Sequence, residues 1–284
     1  MKYNRTKYRV AVLIAGQSRS YKKCLPALAD FFSEPFTSDG ELEVQVDYFM
    51  HTWDVNTWLD KDTDKSKDSY FTSQEPAFVE RYFAEQSLKS LKGFQVEQYS
   101  RANPHRVWGG ILYSSYKVNK LKSDYENEYG VCYDLVIRTR PDIVFRPNER
   151  LVYNQHEINH RTIYTTGRIE KMKNELYISN LDDVIYMGDS ATMNTAANLY
   201  KYAGVKVCDP PIGVEKNNLA PVPERHLGPG TLMTRYLNLL NISVESVTDK
   251  RYYIVVRKAG IDLNFNYKDN FNELEKIHKD FYIK

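Results

Sequence analysis

Three scarcities set the first limits on this chain of 284 residues. Cysteine occurs only three times, at Cys24, Cys132 and Cys208. That odd number, without C-x-x-C spacing, excludes a disulfide framework or zinc knuckle and fits a reducing compartment. Charge of one sign is also scarce: the formal net charge is +2, too small a field to announce a polyanionic partner. Long apolar runs are missing as well, with no segment near the roughly 20 residues that span a bilayer. The opening "MKYNRTKYRVAVLIAG" has basic residues before an apolar run, but "RVAVLIAG" is short and strand-like, unlike a secretory leader. A cytoplasmic protein is the expectation.

Apolar residues at 42% and charged residues at 27% describe an ordinary globular chain. Residues 8–16, "YRVAVLIAG", run continuously apolar, as a strand covered on both faces does. Gly16 ends it, and Ser18 or Ser20 is placed to cap the helix that follows. "LEVQVDYFMHTWD", 42–54, reads as a second strand, and "GFQVEQYS" as another after a helix. Val107, Ile111, Ser114, Val118, Leu121 and Tyr125 mark a buried stripe on a helix over 105–130, with Gly130 at its C-cap. "VCYDLVIRTRPDIVF", 131–145, reads as one strand. Helices alternating with apolar strands predict an α/β sheet, mainly parallel. The charged stretch 60–76 reads as a solvated loop. Its Asp60, Asp62 and Asp64 imitate a calcium loop, but Lys65 and Phe71 occupy positions that need Gly and Glu.

In the second half "HRTIYTT" and "DDVIYMGD" read as short strands, and "SATMNTAANLYKYAG" and "TLMTRYLNLLNI" as helices. Residues 208–230, rich in Pro, Gly and Asn, have the length of a lid or binding loop. "RYYIVVRKAG" reads as a strand and "NELEKIHKDFYIK" as a closing helix. No clean linker divides the chain, so a single domain over 1–284 is expected.

Ligands of open α/β sheets bind beyond the carboxyl ends of the strands. Three strands here end in polar clusters: Gln17, Ser18 and Arg19; His51, Trp53 and Asp54; Arg138, Arg140 and Asp142. Arg138, Arg140 and Asp142 form either a structural ion-pair knot or a grip for an anion. Arginine's planar fork suits phosphate oxygens. A carboxylate beside a diphosphate commonly holds Mg²⁺ or Mn²⁺.

In order along the chain stand "LIAGQSRSY", "VDYFMHTWD", "LYSSYKVNKLKSDYENEYGVCYDLVIRTRPD", "DDVIYMGDSATM" and "PERHL". Together they resemble the GT-A-type nucleotide-sugar glycosyltransferases of polysaccharide and lipopolysaccharide clusters, also found in viruses, over roughly residues 8–240. The resemblance implies a GT-A-like (Rossmann-like) sheet with a small antiparallel acceptor-side portion. Residues 1–150 would form the nucleotide-binding half and 151–284 the acceptor half. It implies a nucleoside-diphosphate sugar donor near Gln17, Arg19, His51, Asp54, Arg138, Arg140 and Gly188. Asp142 would stand at the last position of a D-x-D metal motif, with His226 as a further ligand to Mn²⁺ or Mg²⁺. Arg140 replaces the first acid of that motif, so either Asp142 holds a cation with water and phosphates, or the arginines supply the positive charge. Asp183 and Glu224 are the candidate catalytic carboxylates. The acceptor would be a glycan, or a hydroxylated DNA base for a virus-encoded enzyme acting in host cytoplasm. A non-catalytic nucleotide- or polysaccharide-binding module is the alternative.

Overall fold

The computed structural model describes residues 7–17, 21–33, 43–53, 55–58, 69–72, 81, 84–97, 108–145, 158–166, 181, 184–203, 229–248 and 253–255. The first strand, β1 (Lys7–Ala15), leads through helix α1 (Tyr21–Ser33) to β2 (Glu43–Trp53). A hairpin of β3 (Val55–Trp58) and β4 (Ser69–Thr72) precedes β5 (Leu91–Glu97), and α2 (Trp108–Tyr129) carries the chain to β6 (Leu135–Thr139) and β7 (Ile143–Phe145). Then come β8 (Thr162–Thr166), β9 (Tyr186–Gly188), α3 (Ser190–Ala197), α4 (Leu199–Ala203), α5 (Pro229–Leu239), β10 (Ser243–Thr248) and β11 (Tyr253–Val255).

Seven strands form one sheet in the order β10-β8-β9-β6-β1-β2-β5. β1 pairs in parallel with β2 and β6, β2 with β5, and β8 with β10. Only β9 is reversed among these strands: it pairs antiparallel with both β6 and β8. The α/β expectation is met, and the one antiparallel strand falls in the second half of the chain.

The pleat divides the core in two. Val10, Val12, Ile14, Tyr48, Met50, Leu135 and Ile137 point toward Leu25, Leu28 and Phe32 of α1. Ala11, Leu13, Ala15, Phe49 and Val136 point the other way, toward Leu112 and Val118 of α2. Burial on both faces explains why these strands read as unbroken apolar runs. The α2 helix ends as its sequence foretells. Gly130 takes φ 62° and the Val131 amide donates to the Glu126 carbonyl at 3.1 Å, the Schellman arrangement.

Two sequence readings need correction. Residues 131–145 are not one strand, because Pro141 cannot donate to a ladder and the chain breaks between Thr139 and Ile143. After the break, β7 leaves the main sheet and pairs antiparallel with β11. Within the stretch expected to be a solvated loop, Ser69–Thr72 pairs with Val55–Trp58. The closing helix and most of the 208–230 segment lie outside the described residues.

Candidate functional site

From β1 the chain moves outward to β2 and β5, then returns through α2 to β6 on the opposite side of β1. Such a reversal opens a crevice between the carboxyl ends of β1 and β6, where open sheets take their ligands. Gly16 closes β1 there at φ 138°, a conformation that side chains disfavour, and its amide donates to the His51 carbonyl at 3.2 Å. A Cβ on Gly16 would meet Pro141 Cδ at 3.6 Å, ordinary contact. The glycine therefore serves backbone conformation rather than space.

Across the crevice stands the turn Arg140-Pro141-Asp142. Arg140 donates from Nε to Asp142 Oδ1 at 2.8 Å and from Nη2 to Oδ2 at 2.7 Å, a bidentate fork. Asp142 is 1% exposed and the Arg140 side chain 13%. The pair is thus largely withdrawn from water, and Asp142 fixes the plane and direction of the guanidinium. Phe145 of β7 holds the turn from behind, stacking on Phe31 of α1 at 3.8 Å between centroids and meeting Phe32 edge-on at 5.5 Å. Each such aromatic pair contributes about 1 kcal/mol beyond its buried area.

The pleat separates the other expected strand-end residues from this turn. Arg138 follows Val136 onto the α2 face, is buried, and lies with its guanidinium carbon 5.6 Å from the centre of the Tyr186 ring. His51 follows Phe49 onto the same face. Its Nδ1 lies 3.2 Å from Ser114 Oγ of α2, and its Nε2 lies 3.7 Å from Glu97 Oε1. Burial lowers the His51 pKa to about 4 against the opposing pull of Glu97, so the ring is neutral at neutral pH. Both side chains are buried on that face of the sheet, His51 against α2 and Arg138 beside Tyr186 of β9.

Glu97, at the carboxyl end of β5, gathers the polar groups on this face. It accepts from Lys117 Nζ at 2.6 Å, Tyr113 Oη at 2.7 Å and Gln95 Nε2 at 2.9 Å. Burial raises its pKa, but hydrogen bonds from Lys117 and Tyr113 outweigh that and hold it below the ordinary carboxylate value. Tyr113 also stacks on Trp53 at 5.5 Å. The H-T-W strand end and the Y-S-x-x-K helix thus meet at a carboxylate the sequence reading overlooked. A signal was present: β5, like three other strands, ends in a polar residue. Further along α2, Asn119 Nδ2 and Lys122 Nζ both donate to Asn194 Oδ1 at 2.9 Å, and Lys122 also pairs with Glu126 at 2.9 Å. Burial lowers the Lys122 pKa, and this knot ties α2 to α3.

No family model matches this chain, and no curated protein matches it.

Gln17 follows Gly16 at the crevice. Arg19, Asp54, Asp183, Glu224 and His226 lie outside the described residues. Gly188 opposes Val136 toward the amino end of β6, away from the crevice, because β9 runs backward. A Cβ there would come within 2.9 Å of the Thr162 carbonyl oxygen, so close approach of β8 accounts for this glycine. Among the described residues no group of three or more His, Cys, Asp or Glu side chains could hold a metal ion. With both Asp142 oxygens on Arg140, these residues do not by themselves fit a divalent cation. The described helices include none long and apolar enough to cross a membrane.

Proposed function

We propose that the chain is a glycosyltransferase that moves a sugar from a nucleoside-diphosphate sugar to an acceptor hydroxyl. The observation that carries this reading is the Arg140–Asp142 fork at the reversal of strand order, on the turn whose Pro141 lies beside Gly16. The GT-A-like motif order supports it, as does a mainly parallel sheet with one antiparallel strand in the acceptor half.

Transfer breaks the bond between the anomeric carbon and the β-phosphate oxygen, and the electron pair leaves with the diphosphate. The acceptor oxygen bonds to that carbon and gives its proton to a carboxylate base, for which Asp183 and Glu224 are the candidates. Charge developing on the leaving group is stabilised best by donors already fixed in place. Arg140 is such a donor, and Asp142 is its positioning residue. Of the two ways to supply positive charge, this reading takes the arginine, and no step is routed through a cation.

The test is a panel of nucleotide sugars assayed for hydrolysis and for thermal stabilisation, with and without Mn²⁺. Turnover of one donor that falls about tenfold or more in Asp142→Asn, with the fold retained, is expected, since one charge-assisted hydrogen bond is worth roughly 1.5–3 kcal/mol. Saturable binding of a donor without any turnover favours the binding module instead. Neither binding nor turnover of any donor defeats both.

A further inference from the structure

Two buried hydroxyls have no role in the site described so far. Thr52 and Thr139 are each fully buried, and neither Oγ1 finds a hydrogen-bond partner among the described residues. A buried hydroxyl left unpaired is destabilising, so two near the end of one strand call for an explanation. Their place is specific. Thr52 continues the Tyr48, Met50 face of β2, and Thr139 continues the Leu135, Ile137 face of β6; both faces turn toward α1. Thr139 is level with Ile14, while Thr52 follows the His51 that is level with Ala15. The two threonines therefore flank the end of β1 from either side, Thr139 beside Ile14 and Thr52 just beyond Ala15, on the sheet face opposite Arg138 and His51.

Helix α1 begins on the same side. Because it returns between parallel strands, its N-terminus lies at their carboxyl ends, with its unpaired amides and partial positive charge. Its 13 residues carry no acid in the first turn, and the sequence places Lys22 and Lys23 there instead. Lysine at a helix N-terminus works against the dipole unless an anion is present.

We propose that Thr52 and Thr139 are hydroxyl donors of a diphosphate subsite on the α1 face of the sheet. The inference rests on the reading above for what carries the diphosphate. Strand spacing and rise separate the two positions by about 12 Å diagonally across β1. A diphosphate, about 6 Å between its outer oxygens, with a hydrogen bond of about 2.8 Å at each end, reaches across a backbone separation of that order. A single phosphate, whose oxygens lie closer together, falls short of it. The threonines would then hold the diphosphate from the α1 face while Arg140 meets it from the end of β6.

The probes are inorganic pyrophosphate and inorganic phosphate, titrated calorimetrically into the full chain and into Thr52→Val, Thr139→Val and the serine variants at both positions. Valine keeps the branched shape and removes only an unpaired hydroxyl, so the ligand-free variants should melt at the wild-type temperature or above it. Pyrophosphate affinity should fall about tenfold or more in each valine variant, the loss of one hydrogen bond to a charged group, and serine should restore most of it. Wild-type protein should bind phosphate much more weakly than pyrophosphate. Unchanged pyrophosphate affinity in both valine variants overturns the proposal, as does wild type that binds no pyrophosphate. So does a valine melting temperature several degrees lower that serine restores, since the hydroxyls would then be structurally bonded. Threonine-dependent pyrophosphate binding without turnover of any nucleotide sugar keeps the subsite and removes the transferase. Turnover that the valine changes leave intact does the reverse.

Discussion

His51 provides a sharp test of the α2 face, because its environment converts acidity into instability. The ring is fully buried and its pKa is lowered to about 4 in the folded chain. Unfolded, it returns to about 6.5. The folded pKa is depressed, so the unfolded chain binds the extra proton between those values. Stability is therefore complete above the unfolded value and drains away as pH falls toward the folded one. Integrating this linkage from about pH 7.5 to about pH 5 gives a loss of roughly 2 kcal/mol from this residue alone. Other groups titrate in the same window, so the assay compares wild type with His51→Gln, whose amide can still reach Ser114. Urea unfolding followed by tryptophan fluorescence at several pH values yields both curves. Wild type should lose about 2 kcal/mol more than the variant over that range. Parallel curves would refute the placement of a neutral, buried imidazole beneath α2.

Other expectations concern the turn and the glycines. Arg140→Met leaves the Asp142 carboxylate buried without its bidentate partner and should cost about 3 kcal/mol in chemical denaturation. The double variant Arg140→Met, Asp142→Leu should regain most of that, and a double variant no better than the single would contradict the coupling. Gly188→Ala drives a Cβ to 2.9 Å from the Thr162 carbonyl oxygen and should lower stability by about 1–3 kcal/mol. Its effect on turnover should follow stability alone, because the position is remote from the crevice. Glu97→Gln should loosen the Tyr113 and Lys117 contacts and remove a carboxylate that raises the His51 pKa; an NMR titration of the imidazole should show that pKa falling further, and an unchanged value would contradict the contact.

Much of the scaffold was legible because its signals are local. The unbroken apolar run of β1, the three- and four-residue stripe of α2 and Gly130 at its end each depend on neighbours in sequence. Less was legible wherever pairing is non-local. "DDVIYMGD" is as apolar as a parallel strand, and its reversal follows only from pairing with Val136, Ile137 and Arg138. The hairpin of Val55–Trp58 with Ser69–Thr72 was hidden because its second strand sits in a charged stretch. Pro141 splits 131–145 because a proline cannot donate to the ladder, yet the apolar residues on either side of it read as continuous. In the candidate site, the period of two carries the Arg138 and His51 side chains to the same sheet face as Leu13 and Ala15, a distinction that position at a strand end does not reveal. Arg140 and Asp142 were legible as a polar pair because they follow the last paired residue of β6. Thr52 and Thr139 carry no sequence signal, since a threonine in a strand is unremarkable until its burial and lack of partners are known.

The claim that the crevice between β1 and β6 grips a diphosphate is tested most directly by calorimetric titration of a nucleoside diphosphate and its monophosphate into the wild-type chain. The account predicts that the second phosphate adds about tenfold or more in affinity, one charge-assisted contact or better. Equal affinity for the two nucleotides, or binding of neither, would contradict it.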